Sequence, residues 1–343
     1  MQVGVCVQPK VDDPDYVVRL EQRGYHSAWF ADSPTIWSDC FSALALAATR
    51  TERIQLGTGV AVAGLRLPTA TAGAIATVNR LAPGRTFLGV GNGNTGWRLL
   101  GHKPLPLAAF EEELRALRSL LQGAQTPIRA RGRVGAARFQ MLERGFVDID
   151  HPVPLVVSAF GPRSLDVAAR LGDALVTSLV GPSHIARSRR TVGDLPITAM
   201  THAVVLRPGE DHGSERVRRH TGAMVLSTVH YLYDRWCDTG RGDPPSALAP
   251  IWDDYVASVE SVPPEERHQR VHSGHNTFVD PREWPLVTPE LVDRFALVGR
   301  PVELVRRIHD LEDAGLDQLM LLPDLDHRDE DTASFAEEVL PRL

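Results

Sequence analysis

Lysine is almost missing: among 343 residues it stands only at Lys10 and Lys103. Both positions read as loops, and Schiff-base chemistry needs a desolvated amine, so a cofactor-free aldolase of that kind is excluded. Cysteine is scarce as well. Cys6, Cys40 and Cys237 are odd in number and widely spaced, with no C-x-x-C pair. That argues against a disulfide framework and against a zinc–thiolate site. No apolar run reaches the ~18 residues a membrane helix needs. The opening MQVGVCVQPK lacks a basic region followed by a long apolar segment, so a reducing cytoplasm is the expected setting. The formal net charge is −6, and the basic runs RARGR (129–133) and RSRR (187–190) are short. Neither nucleic acid nor an acidic membrane is expected as a partner; the runs read as solvated faces.

What is present is a rhythm. Short β-rich runs recur, each followed by a helical pattern, with 43% apolar residues to build a core. Runs at Gln2–Val7, His26–Ala31, RIQLGTGVAV (53–62) and RTFLGV (85–90) are the first four strands. PLVVSAF (154–160), DALVTS (173–178), PITAMTHAVVL (196–206) and Leu316–Leu322 complete eight. Helices are expected at Phe41–Thr49, Thr69–Leu81 and over LAAFEEELRALRSLL, where Phe110, Leu114, Leu117 and Leu121 share a face. A long one runs from about Ser214 to Trp236. Eight alternations are the count of a (β/α)8 TIM barrel, an α/β fold read here as a single domain over 1–343. Residues 123–152 and 237–288 break the rhythm and read as insertions, the second partly helical and a candidate cover for the substrate.

Gly91-Asn-Gly93-Asn-Thr-Gly96 formally matches the G-x-G-x-x-G dinucleotide fingerprint. The fingerprint requires a helix from the third glycine and an acidic residue ~20 positions on, ending a second strand. Here Pro104 and Pro106 stop any such helix, and the distant position is Ala116, mid-helix. The glycines belong instead to the mouth of a barrel, where such folds place their chemistry.

WFADSP, LGTGVAV, RLP (66–68) with ATVNRLAPGRTFLGVGNGN, VVSAFGPRSLDVAARLGDALV and FALVGRPVELVRRIHDLEDAGLDQLML occur in this order on the expected elements. Together they resemble the bacterial luciferase-like flavin and deazaflavin oxidoreductases, in particular the methylenetetrahydromethanopterin reductase branch, which uses coenzyme F420. The likeness covers residues 1–122, 150–206 and 290–323 and fails over 237–288. It implies a bulge with a non-proline cis peptide, which falls at Gly59–Val60, so that Thr58, Gly59 and Val60 lean on a flavin-type ring. It also implies a phosphate site in SAFGP (Ser158, Ala159, Phe160, Gly161, Pro162), where the amides of a helix start form an anion site. Asp32 and Ser33 fall at the mouth, as do Asn92, Gly93 and Asn94; the asparagines serve either as ring hydrogen-bonders or as turn formers. In the similar deazaflavin-dependent glucose-6-phosphate dehydrogenases a histidine matches Ser33, a glutamate matches Asn94 and a tryptophan matches Trp37. This chain keeps the tryptophan alone, which speaks against sugar oxidation.

The resemblance therefore implies hydride transfer between F420 and a small organic substrate, by a cytoplasmic homodimer. FMN with a monooxygenase activity is the alternative, and a non-catalytic flavin-binding barrel is a third possibility. Besides Asn94, His272 and His275 in RVHSGHNTF are candidate acid–base groups or plainly solvated loop residues. Two histidines without a third ligand make no metal site, and none is expected. His202 stands on the seventh strand, while Trp29, Phe30 and Met200 read as core.

Overall fold

The computed structural model describes residues 1–178 and 180–343, which separate into two compact units. The first comprises Met1–Trp97, Pro104–Met200 and Leu311–Met320; the second comprises Arg98–Lys103, Thr201–Asp310 and Leu321–Leu343.

Along the chain the strands are β1 (Gln2–Val7), β2 (Ser27–Phe30), β3 (Gln55–Thr58), β4 (Ala61–Val62) and β5 (Thr86–Gly91). They continue as β6 (Thr126–Ala130), β7 (Arg133–Ala137), β8 (Leu155–Ser158), β9 (Ala174–Thr177) and β10 (Ile197–Thr201). β11 (Ala203–Val205), β12 (Leu297–Gly299) and β13 (Gln318–Leu321) follow. The main sheet runs β3-β2-β1-β13-β10-β9-β8-β5, and β5 returns to pair with β3. This is a closed parallel barrel of eight strands, as the alternation implied. Parallel strands covered on both faces read as unbroken apolar runs: Val3, Val5, Cys6 and Val7 of β1 and Leu155, Val156 and Val157 of β8 are all buried.

The surrounding helices start where local chemistry tells them to. Asp39 caps Cys40–Ala48 by accepting from Ser42 N at 2.8 Å. Pro68, Pro162 and Pro182 each occupy a first helical turn, where proline loses no hydrogen bond.

Two strand expectations are corrected, and one insertion gains strands. The third strand is split into β3 and β4, with a cis peptide at Gly59–Val60 between them, as the resemblance implied. The seventh ends at Thr201, and β11 pairs with β12 in a separate two-stranded sheet. Residues 123–152, expected only as an insertion, include an antiparallel hairpin of β6 and β7. In the second unit the long helix spans Glu215–Asp238, and 237–288 contains helices Trp252–Glu260 and Arg267–Val271. These pack a core of their own that includes Val225, Val229, Tyr233, Trp252, Tyr255 and Val271. Among the described residues no helix is long and apolar enough to cross a membrane.

Candidate functional site

Three neighbouring strand ends of the barrel build the candidate site. Thr58 is fully buried, and its hydroxyl donates to Gly89 O at 2.6 Å, so it locks β3 to β5 and is spent on structure. Gly59 N donates to Phe30 O at 2.7 Å. Beyond it the surface opens: Gly59 and Val60 are half-buried between buried Thr58 and Ala61. A Cβ placed on Gly91 would stand 2.7 Å from Val60 Cγ2 and 3.3 Å from Ser158 Cβ. Val60, Gly91 and Ser158 therefore share one patch of the rim, and only a glycine at position 91 lets the other two side chains approach that closely.

Asn92 and Asn94 flank Gly93, whose φ of +80° is a turn conformation that a side chain resists. Asn92 O accepts from Leu105 N at 2.9 Å, so its backbone is part of the turn, while both asparagine residues remain half-buried. The helix that follows spans only Asn94–Arg98, and the next begins at Leu107. The glycine pattern thus lacks the long helix a dinucleotide fold requires.

After β8, Ala159 is buried while Ser158, Phe160 and Gly161 are half-buried. Gly161 caps helix Pro162–Leu171. Ser164 Oγ accepts from Phe160 N at 3.2 Å and Gly161 N at 3.1 Å, fixing the turn. Leu165 N makes the first intrahelical bond, to Gly161 O at 2.9 Å, so the amides of Arg163 and Ser164 precede the helical ladder. A Cβ on Gly161 would meet nothing within 4 Å. This helix start is open, and its N-terminal dipole end favours negative charge.

Asp32 and Ser33 do not join this surface as free groups. Asp32 has a side chain 1% exposed and accepts from Arg66 Nη1 at 2.6 Å, Arg66 Nη2 at 3.0 Å and Val62 N at 3.0 Å. It pins the loop after β2 to β4. Ser33 is buried, and its carbonyl accepts from Ile36 N and Trp37 N. Arg66 was missed from the sequence, where an arginine between two leucines carries no signal.

The candidate histidines His202, His272 and His275 lie in the second unit. His202 is buried with Nε2 3.0 Å from Asp331, a carboxylate shared with His220 at 2.6 Å. His272 is not a solvated loop residue: its side chain is 1% exposed, with Nε2 3.3 Å from Asp234 Oδ2. His275 is half-buried with Nε2 3.0 Å from the Asn276 side-chain amide. A third histidine, His230 of the long helix, is brought beside them.

A closed parallel barrel with open turns at its strand ends defines an α/β-barrel enzyme scaffold. More narrowly, the chain belongs to the luciferase-like monooxygenase family, whose pattern matches residues 12–318. It is 25% identical over the full length of both chains to the 5,10-methylenetetrahydromethanopterin reductase of Archaeoglobus fulgidus. It is 30% identical to the F420-dependent glucose-6-phosphate dehydrogenase of Beutenbergia cavernae, over 62% of this chain and 69% of that one. The solved coenzyme F420-dependent tetrahydromethanopterin reductase of Methanopyrus kandleri superposes with a TM-score of 0.70 at 18% identity, covering 99% of this chain and 98% of that one. The resemblance seen in the motifs is borne out.

Proposed function

We propose that the chain is an oxidoreductase that passes hydride between coenzyme F420 and a small organic substrate at the rim of the barrel. The observation that carries this reading is the open helix start at Gly161, three residues along the chain from Ser158, whose side chain shares a patch with Val60 and Gly91. The rim fits a flat ring with an anionic tail. Gly91 leaves no bulk between Val60 and Ser158, and the space at Gly161 lets a phosphate reach the Arg163 and Ser164 amides. The A. fulgidus and B. cavernae relatives, named for F420-linked or methanopterin reactions, support the same class.

When bound, F420 supplies the centre that gives or takes hydride. The protein's part is positional. Val60 makes one wall for the ring, and the half-buried Asn92 and Asn94 offer amide donors and acceptors to its polar edge. Asp32 works indirectly, holding Arg66 and the Val62 amide so that the Gly59–Val60 segment keeps its place. FMN with a monooxygenase reaction is the second reading, favoured by the family's name and by an FMN-bound oxygenase of Pseudomonas putida with a TM-score of 0.62.

Gly161→Asp tests the assignment cleanly. Gly161 has φ −101° and ψ 165°, which any residue adopts, and open space around its Cβ position. Aspartate is also a favoured helix cap, so the variant should fold with unchanged or higher stability. Its carboxylate would face the cofactor's phosphate, and F420 affinity should fall about tenfold, near 1.4 kcal/mol. Spectral titration of wild type and variant with F420 and with FMN reads this. Affinity that ignores the substitution for both cofactors removes the phosphate site from this turn; tighter binding of FMN than of F420 by the wild type favours the second reading.

A further inference from the structure

The sequence offered two histidines and no third ligand; the fold supplies the third. His230 lies on helix Glu215–Asp238, whereas His272 and His275 follow helix Arg267–Val271. One ring nitrogen from each lies within 4.8 Å of the others. The rings approach edge-on, with His230–His272 centroids 6.3 Å apart at 83° and His272–His275 centroids 5.8 Å apart at 76°.

The surroundings settle which nitrogens are spoken for. Glu283, with a fully buried side chain, lies 3.2 Å from His230 Nε2 through both oxygens, and Arg270 Nη1 holds Glu283 at 3.0 Å. Asp234 Oδ2 lies 3.3 Å from His272 Nε2 and 3.1 Å from Arg98 Nε. Glu283 thus engages His230 at Nε2 and favours the tautomer with the proton there, whereas Asp234 lies near His272 Nε2 without hydrogen-bonding it. Nδ1 of both His230 and His272 is buried without a hydrogen-bond partner. Residues His230 and His272 are 2% and 4% exposed, so no bulk water satisfies these atoms. A buried histidine held by a carboxylate at one ring nitrogen and bare at the other, as His230 is, matches the way metal-bound imidazoles are oriented.

We propose that His230, His272 and His275 bind a divalent transition-metal ion of the zinc class, with Glu283 and Asp234 as its outer carboxylates. Three imidazoles favour zinc, cobalt, nickel or copper over magnesium or calcium, which prefer oxygen. Tetrahedral binding at about 2.0–2.1 Å brings ligating nitrogens to about 3.3 Å from one another, so ion uptake draws the three rings inward. The fourth position belongs to water. Such an ion would tie the long helix to the segment after Arg267–Val271, doing for this unit what its scarce cysteines cannot.

The test is titration of the metal-stripped full-length chain with Co²⁺, read by visible absorption, and with Zn²⁺ by calorimetry, using Mg²⁺ as control. The expected result is one Co²⁺ per chain with ligand-field bands, displacement by Zn²⁺, and no response to Mg²⁺. His230→Gln and His272→Gln should each weaken Zn²⁺ binding at least tenfold. Absence of saturable binding overturns the proposal, as does binding indifferent to both substitutions. Where a variant does not fold, X-ray absorption of the cobalt-loaded wild type decides instead. Three imidazole nitrogens in the shell uphold the site; a shell of oxygen or sulfur overturns it.

Discussion

Arg66→Met is expected to destabilise the barrel unit by about 3–5 kcal/mol, the cost of stranding a buried carboxylate. Asp32 has a side chain 1% exposed and Arg66 one 21% exposed, so water reaches the pair poorly. Arg66 donates through both Nη atoms to Asp32, reaches Asp39 at 3.2 Å and lies 5.4 Å over the Phe41 ring. The same contacts raise the pKa of the guanidinium, with the Asp32 hydrogen bond and charge outweighing the opposing effect of burial. Methionine keeps most of the packing and none of the charge, so the loss reports the ion pair. Asp32→Asn should cost less, because its amide oxygen still accepts from Val62 N. Combined with Arg66→Met, it should recover stability relative to Arg66→Met alone, since no charge is then stranded. Denaturant midpoints of the four proteins measure the coupling; a cost below about 1 kcal/mol for Arg66→Met would mean the carboxylate finds another partner. F420 affinity should fall in parallel, because Asp32, which anchors Val62 N beside the Gly59–Val60 segment, loses the arginine that holds it in place.

This pair also marks where sequence reading stops. The barrel was legible because its strands are buried on both faces and print as apolar runs between helices with proline and aspartate starts. The β6–β7 hairpin was not. Its core-facing residues are Thr126 and Ile128, its second strand is largely exposed, and its turn is Arg131-Gly132 with φ of 50° and 72°. An arginine at positive φ is rare enough that nothing local announces it. The break after Thr201 was equally silent, since THAVVL is uniformly β-prone and only tertiary pairing with Leu297–Gly299 ends the barrel strand there.

At the candidate site, residue types carried part of the story. Glycines 59, 91, 93 and 161 stood in positions where the rim needs close approach, a turn or open space. Asp32 read as a mouth residue because it directly follows the second strand; its partner Arg66 belongs to another crossover and shares no pattern with it. His230 was hidden differently, within a helix whose buried positions it shares with Val225, Leu226 and Val229. Only proximity in space distinguishes it from a core residue.

Glu113 was hidden in the same way, inside the apolar face of Leu107–Leu121, and it yields the second large effect. The residue is 9% exposed, and burial pushes its carboxyl up to about 7 against the lowering pull of the Gly64 amide. Below pH 4.5, the ordinary value, both folded and unfolded chains carry the proton and folding incurs no penalty. From there to about pH 7 the unfolded chain ionises while the folded one does not, so stability falls with rising pH. Above that the penalty is constant at about 3 kcal/mol, at 1.36 kcal/mol per unit of displacement. Glu113→Gln removes the ionisation and keeps an oxygen for the Gly64 amide. The variant should therefore match the wild type near pH 4.5 and exceed it by about 3 kcal/mol above pH 7. Taking the difference cancels every other titrating group, so denaturant curves at several pH values isolate this one. A difference that stays flat across that window would show that the carboxylate ionises in the fold as readily as in the open chain. Gly64 lies two residues beyond Val62, so the protonation of Glu113 bears on the same loop that Asp32 and Arg66 hold from the other side.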